Sequence, residues 1–161
     1  MKRQIFITSV AAFVLMAHSS AASAQATLTP TVEVIDGCTV LTAEMVFDVS
    51  AGAGAGPVDS STQIDIECTR LALYRVDMDL GSNAAGTQRR MRNASGDFIP
   101  YAIYRNAART QTWGSGWGSA PWGIAFGMGR GSLTAYGRIN SVPANLTPGT
   151  YEDIVTVSIN F

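Results

Sequence analysis

Beyond residue 24 the chain has no lysine and no histidine; its one copy of each, Lys2 and His18, lies before that point. Without histidine, the Ser-His-Asp and Cys-His nucleophile arrangements cannot be built there. Without lysine, there is no Schiff-base amine and no Walker-type phosphate loop. Cysteine is scarce: Cys38 and Cys68 stand alone, with no C-x-x-C spacing, which excludes a redox pair of that kind and a Cys/His zinc cluster. Charge is sparse and slightly acidic. Nine arginines face twelve acids over residues 25–161, which excludes the basic footprint of a nucleic-acid binder. No apolar run reaches the roughly 20 residues of a membrane helix, so no integral membrane segment is expected. The glycine-rich stretch at 127–131 is not G-x-G-x-x-G before a helix and reads as a turn. Asp77 and Asp79 share a strand face, but two carboxylates define neither a calcium site nor a glycosidase. No catalytic residue, cofactor or metal is expected.

What is present begins with an export signal. Lys2 and Arg3 form a charged start, residues 5–17 a short apolar core, and Ala22-Ser-Ala24 a cleavage site, with Ala24-Gln-Ala26 as a second choice. The organisation this predicts is a signal peptide over 1–24, an N-terminal extension over 25–36 and one domain over 37–161. In an oxidising compartment Cys38 and Cys68 are most simply a disulfide, two buried free thiols being the alternative. Its loop of about 30 residues would contribute roughly 3–4 kcal/mol.

The rest of the chain alternates with a period of two, the signature of half-buried strands. Over 62–68, Ile64, Ile66 and Cys68 share a face against Gln63, Asp65 and Glu67. Over 74–80, Tyr74, Val76, Met78 and Leu80 point inward, leaving Arg75, Asp77 and Asp79 on a solvated face. Residues 98–104 and 132–139 are further strands. Turn-rich connections at 51–57, 81–86, 93–96 and 147–149 separate them. Short one-sided strands at this spacing predict an all-β antiparallel sandwich.

Two segments carry the functional reading. Residues 151–161 form a strand that runs to the last residue, with Val155, Val157, Ile159 and Phe161 on one face. Residues 27–35 alternate too, Leu28, Pro30, Val32 and Val34 against Thr27, Thr29, Thr31 and Glu33. A sandwich ending on a strand and starting with a spare one is expected to be incomplete, its acceptor groove lined by the first set and filled by the second set from a neighbour. The alternative is that 27–36 is simply the first strand of its own sandwich; Pro30 removes one ladder hydrogen bond in either case. Trp113, Trp117 and Trp122 share a glycine-rich stretch and are candidates for surface contact, through stacking on sugars or pressing on an abiotic surface, or for covering one end of the sandwich. Arg89, Arg90 and Arg92 read as a small basic cluster, either on a solvated face or in an inter-subunit contact with acids such as Asp77 or Asp79.

In order along the chain come Cys38-Thr-Val, Ile66-Glu-Cys68-Thr, Tyr74-Arg-Val-Asp-Met-Asp-Leu-Gly81, Arg90-Met-Arg92, Ile99-Pro-Tyr-Ala-Ile-Tyr104, Trp113-Gly-Ser-Gly116, Tyr136-Gly-Arg138 and Gly149-Thr-Tyr-Glu-Asp-Ile-Val-Thr-Val157. This set resembles the spore coat protein U domain family, whose domain also builds subunits of archaic, Csu-type chaperone–usher pili. One departure is the stretch 47–57, Phe-Asp-Val-Ser-Ala-Gly-Ala-Gly-Ala-Gly-Pro, where many members carry an aromatic-Gly-x-Tyr-Asp-Pro turn. The resemblance implies an incomplete immunoglobulin-like sandwich completed by a donor strand. It also implies a periplasmic chaperone, an outer-membrane usher and neighbouring pilus subunits as partners, and a cell-surface fibre serving adhesion and biofilm formation. The rival expectations are a secreted binding module using the tryptophan stretch, or a coat or matrix protein completed by its own first strand.

Overall fold

Alternation of apolar and polar side chains builds the sheets of this protein. The computed structural model describes residues 37–42, 44–49, 56–127 and 129–161. In chain order the strands are β1 (Cys38–Thr42), β2 (Val58–Cys68), β3 (Ala72–Met78), β4 (Arg89–Arg92), β5 (Phe98–Tyr104), β6 (Trp122–Ala125), β7 (Arg130–Ile139) and β8 (Val157–Asn160). All ladders are antiparallel. Five strands form one sheet in the order β1-β2-β7-β5-β4, and three form the other in the order β6-β3-β8.

The expected inward positions supply the core. Ile64, Ile66 and Cys68 of β2 meet Tyr74, Val76 and Met78 of β3, with Ile99, Tyr101 and Ile103 of β5 and Ala135 and Ile139 of β7. The intervening Gln63, Asp65 and Glu67 are exposed, as one packed and one wet face require. Leu80 departs from expectation: β3 stops at Met78, and Leu80 is 38% exposed. The C-terminal strand is also shorter than its pattern. Only 157–160 ladder with β3. Upstream, single bonds replace the ladder: Asp79 N–H donates to the Thr156 carbonyl at 3.1 Å and Ser82 N–H to that of Ile154 at 3.0 Å. Between β6 and β7 the chain is closed by an isolated Phe126–Arg130 bridge. Gly129 adopts φ 77° there, and a side chain at this position would run into the Cys68 carbonyl.

Of the two readings open for Trp113 the structure takes the buried one, and Arg89 departs from its expected place. Trp113 is not a surface contact: it is 1% exposed, and its indole N–H donates to the Val76 carbonyl at 2.8 Å. Arg89 is not on a solvated face: it is 5% exposed, its Nε donating to the Asp79 carbonyl at 3.0 Å and its Nη2 to the Trp113 carbonyl at 2.9 Å. Burial pulls its pKa down from the ordinary arginine value, against the pull of Tyr101, Asp79 and Asp153. The guanidinium thus pins the end of β3 to the tryptophan stretch. Arg89→Met is expected to cost about 2–3 kcal/mol, because buried carbonyls lose their donor. Denaturant unfolding measures this, and a loss under about 0.5 kcal/mol would contradict it.

Candidate functional site

Among the described residues each sheet has two edge strands, β1 and β4 in the five-stranded sheet and β6 and β8 in the three-stranded one. Among the described residues β1 pairs only with β2, and β8 only with β3. These two edges belong to different sheets. They approach within 8 Å at the Cα level, with no ladder between them. A strand inserted between them needs two ladder spacings, roughly 9.5 Å, so the edges must part to receive one.

Burial marks the same seam. Core residues away from it are essentially sealed, Ile66, Val76 and Ile139 being 0% exposed. Along it the inward apolar residues are only half-buried: Cys38 and Val40 of β1, Met45, Phe47 and Val49 in the segment after β1, and Val155, Val157 and Ile159 at the C-terminal end. Two cavities of about 260 and 530 Å³ open between the 44–49 segment and the chain over 146–157. They share Met45, Phe47, Met91 and Tyr151 in their walls. Small residues create the space: a Cβ at Gly137 of β7 would collide with Met45 and Phe47, so the glycine seats that wall on the five-stranded sheet.

The floor carries one polar device. The Tyr101 hydroxyl donates to the Asp153 carboxylate at 2.7 Å, and Phe47 meets the Tyr101 ring edge-on at 6.1 Å. Burial, then the bond to Asp153, drives the Tyr101 phenol well above its usual pKa, so it remains a neutral donor. Asp79 holds the adjoining chain. Burial pushes its carboxyl up, but bonds from Thr156 and the Gly81 amide outweigh this and leave it below the usual value.

Of the expected groove residues, Val155 and Val157 line a cavity and Ile159 packs half-buried beside them. Phe161 lies beyond β8 and is 62% exposed, so it does not join that wall. Leu28, Pro30, Val32 and Val34 lie outside the described residues. Cys38 and Cys68 are disulfide-bonded, with Cα atoms 4.0 Å apart across the β1–β2 ladder. Sequence reasoning missed the 44–49 wall, which has the alternation Met45, Phe47, Val49 as its signal.

A second feature lies on the outer face of the three-stranded sheet. Trp117 and Trp122 are 81% and 43% exposed, with ring centroids 4.9 Å apart. The Arg75 guanidinium stands 5.7 and 5.6 Å from the two centroids. Arg75 Nε is itself held by Asp77 at 2.9 Å. That bond, joined by the Gly116 amide and Asn160, keeps the Asp77 carboxyl below its usual pKa. Among the described residues no group of three or more His, Cys, Asp or Glu side chains could hold a metal ion. No helix there is long and apolar enough to cross a membrane.

Two facing antiparallel sheets with a disulfide across the first strand pair define an immunoglobulin-like β-sandwich. Residues 24–158 match the model of the Spore Coat Protein U domain, and the chain belongs to that family. It is similar to Protein U of Myxococcus xanthus, at 28% identity over 182 residues, covering 96% of this chain and 94% of that protein. It is also similar to a chain of the crystal structure of the CsuC–CsuE chaperone–tip adhesion subunit pre-assembly complex, from the archaic chaperone–usher Csu pili of Acinetobacter baumannii. That match has 25% identity and a TM-score of 0.54, and covers 80% of this chain but 40% of the solved one.

Proposed function

We propose that this protein is an exported structural subunit of a chaperone–usher surface pilus, joined to its neighbours by strand exchange rather than acting by chemistry. The observation that carries this is the half-buried apolar set Met45, Phe47, Val49, Val155 and Val157, which lines two cavities that share wall residues. An open sheet edge is a template for a further strand. A donor whose alternate side chains enter the groove satisfies the backbone and buries apolar surface together. Each Val or Leu fully buried contributes roughly 1.5–3 kcal/mol, so a few anchors make a long-lived joint. The donor in this reading is the N-terminal extension, with Leu28, Pro30, Val32 and Val34 entering the groove of the next subunit. Before assembly a periplasmic chaperone covers the groove, and an outer-membrane usher then passes the subunit to the surface after the signal over 1–24 is removed. Family membership and likeness to a subunit crystallised with its chaperone support this reading.

The test is gel mobility of the exported chain, expressed with its chaperone and left unboiled. A ladder of SDS-resistant multimers that collapses on boiling is expected; a single monomer band, soluble without the chaperone, would instead mean a sandwich complete in itself.

The Trp117–Trp122 pair favours a second role, surface contact in adhesion and biofilm formation. Two exposed indoles held by one arginine form a rigid face for stacking on a sugar ring or an apolar surface. Trp117→Ala with Trp122→Ala is expected to lower attachment several-fold, with melting temperature and multimer ladder unchanged. Unaltered attachment would assign the pair to packing alone.

A further inference from the structure

The groove is charged on one side of the scale only. Among the described residues its lining contains three carboxylates, Glu44, Glu152 and Asp153, and no arginine. Glu44 and Glu152 are exposed, and among the described residues neither forms an ion pair. Asp153 is half-buried and already accepts from the Tyr101 hydroxyl, the Asn83 amide at 3.0 Å and the Asn83 side chain at 3.2 Å. The nearby cations are otherwise engaged. Arg89 is spent on the Asp79 and Trp113 carbonyls. Arg92 joins Glu152 through backbone bonds, while its guanidinium lies 5.8 Å from the Phe98 ring. An apolar trough with uncompensated carboxylates at its lip favours an occupant of opposite sign.

The chain's own spare strand has the wrong sign. Residues 27–36 carry Glu33 and Asp36 and no cation, and no lysine or arginine occurs anywhere from residue 4 to 69. A second copy donating this segment would bring two carboxylates to a groove that already holds three.

We propose that the acidic lip makes this groove select an apolar, alternating strand bearing lysine or arginine, so that its preferred occupant comes from a different protein and not from a second copy of this chain. The inference rests on the strand-exchange reading and deepens it, by naming the sign of the partner. Apolar anchors still supply the bulk of the affinity, so a second copy can be accepted; the carboxylates act on encounter and on choice between partners. Each exposed pair is worth up to about fivefold.

The test offers the exported full chain, disulfide intact, two synthetic peptides: residues 27–36 as they stand, and the same peptide carrying Glu33→Lys and Asp36→Lys. At low ionic strength the cationic peptide is expected to bind roughly three- to tenfold faster and tighter. High salt should shrink the difference, since exposed charges are screened. Glu44→Gln with Glu152→Gln in the chain should remove most of it; both sites are on the surface, and an unchanged melting temperature establishes that the variant is folded. Equal binding of the two peptides, or preference for the natural one, overturns the charge inference and leaves the groove reading standing. Failure of both peptides to bind overturns the groove reading and this inference with it.

Discussion

A chain lacking residues 27–34, expressed as the sole subunit with its chaperone, is expected to lose every SDS-resistant multimer while still forming the chaperone complex. The argument separates the two halves of the joint. The described residues that line the groove between the 44–49 segment and the C-terminal segment all lie outside the deletion. A chaperone that covers the groove therefore still has its surface. The proposed donor is removed outright, and with it the alternating Leu28, Pro30, Val32 and Val34. If those four enter another subunit's groove, the loss is of the order of 6–12 kcal/mol of gross burial, enough to convert a joint that survives detergent into no joint. If residues 27–36 were the first strand of their own sandwich, the deletion would expose a core edge, and the chain would be degraded even with the chaperone. Multimers that persist in the truncated chain would refute the donor assignment. Comparing unboiled with boiled samples distinguishes all three outcomes on one gel.

How far the fold is legible depends on strand length. The long alternations in β2, β3, β5 and β7 are plain in the sequence, because seven or more residues with one apolar face have no helical reading. The short β1, β4 and β6, of four or five residues, are paired by tertiary context and have too few positions for a period to register. The same limit blurs the C-terminal segment: its pattern continues from 151 to 161, but the bonds to the chain after β3 replace the ladder before Val157. One position was left open and one was inverted. Trp113 stands in a glycine-rich stretch that leaves surface contact and burial both open; its one N–H finds the Val76 carbonyl, and that bond makes burial of the whole ring tolerable. Arg89 reads as one of three surface arginines, yet only it meets two carbonyls left by the end of β3 and by Trp113. Neither carbonyl is visible in a local pattern. The cavity wall is legible on its C-terminal side, through Val155 and Val157, and hidden on the other, where it is completed by a segment packed against Gly137.

Replacing Cys38 and Cys68 with serine is expected to lower stability by about 3–4 kcal/mol, from the entropy of the loop the bond closes. For a domain of this size that is roughly 10 °C in melting temperature. The bond joins directly opposed residues of the β1–β2 ladder, where Thr69 N–H also donates to the Gly37 carbonyl at 2.9 Å and Gly37 N–H to the Thr69 hydroxyl at 3.2 Å. β1 is a five-residue edge strand with a neighbour on one side only among the described residues, so little else holds it. The effect is expected to reach the groove, because the Met45 and Phe47 wall follows β1 in the chain. The serine variant should therefore melt early and also multimerise poorly at temperatures where it is still folded. Calorimetry with and without reductant measures the first effect, and the unboiled gel the second. A melting temperature within about 2 °C of the oxidised chain would show that β1 is held by its ladder alone. A large drop with normal multimers would show that the wall does not rely on β1, and would move the acceptor site toward β8 and the segment before it.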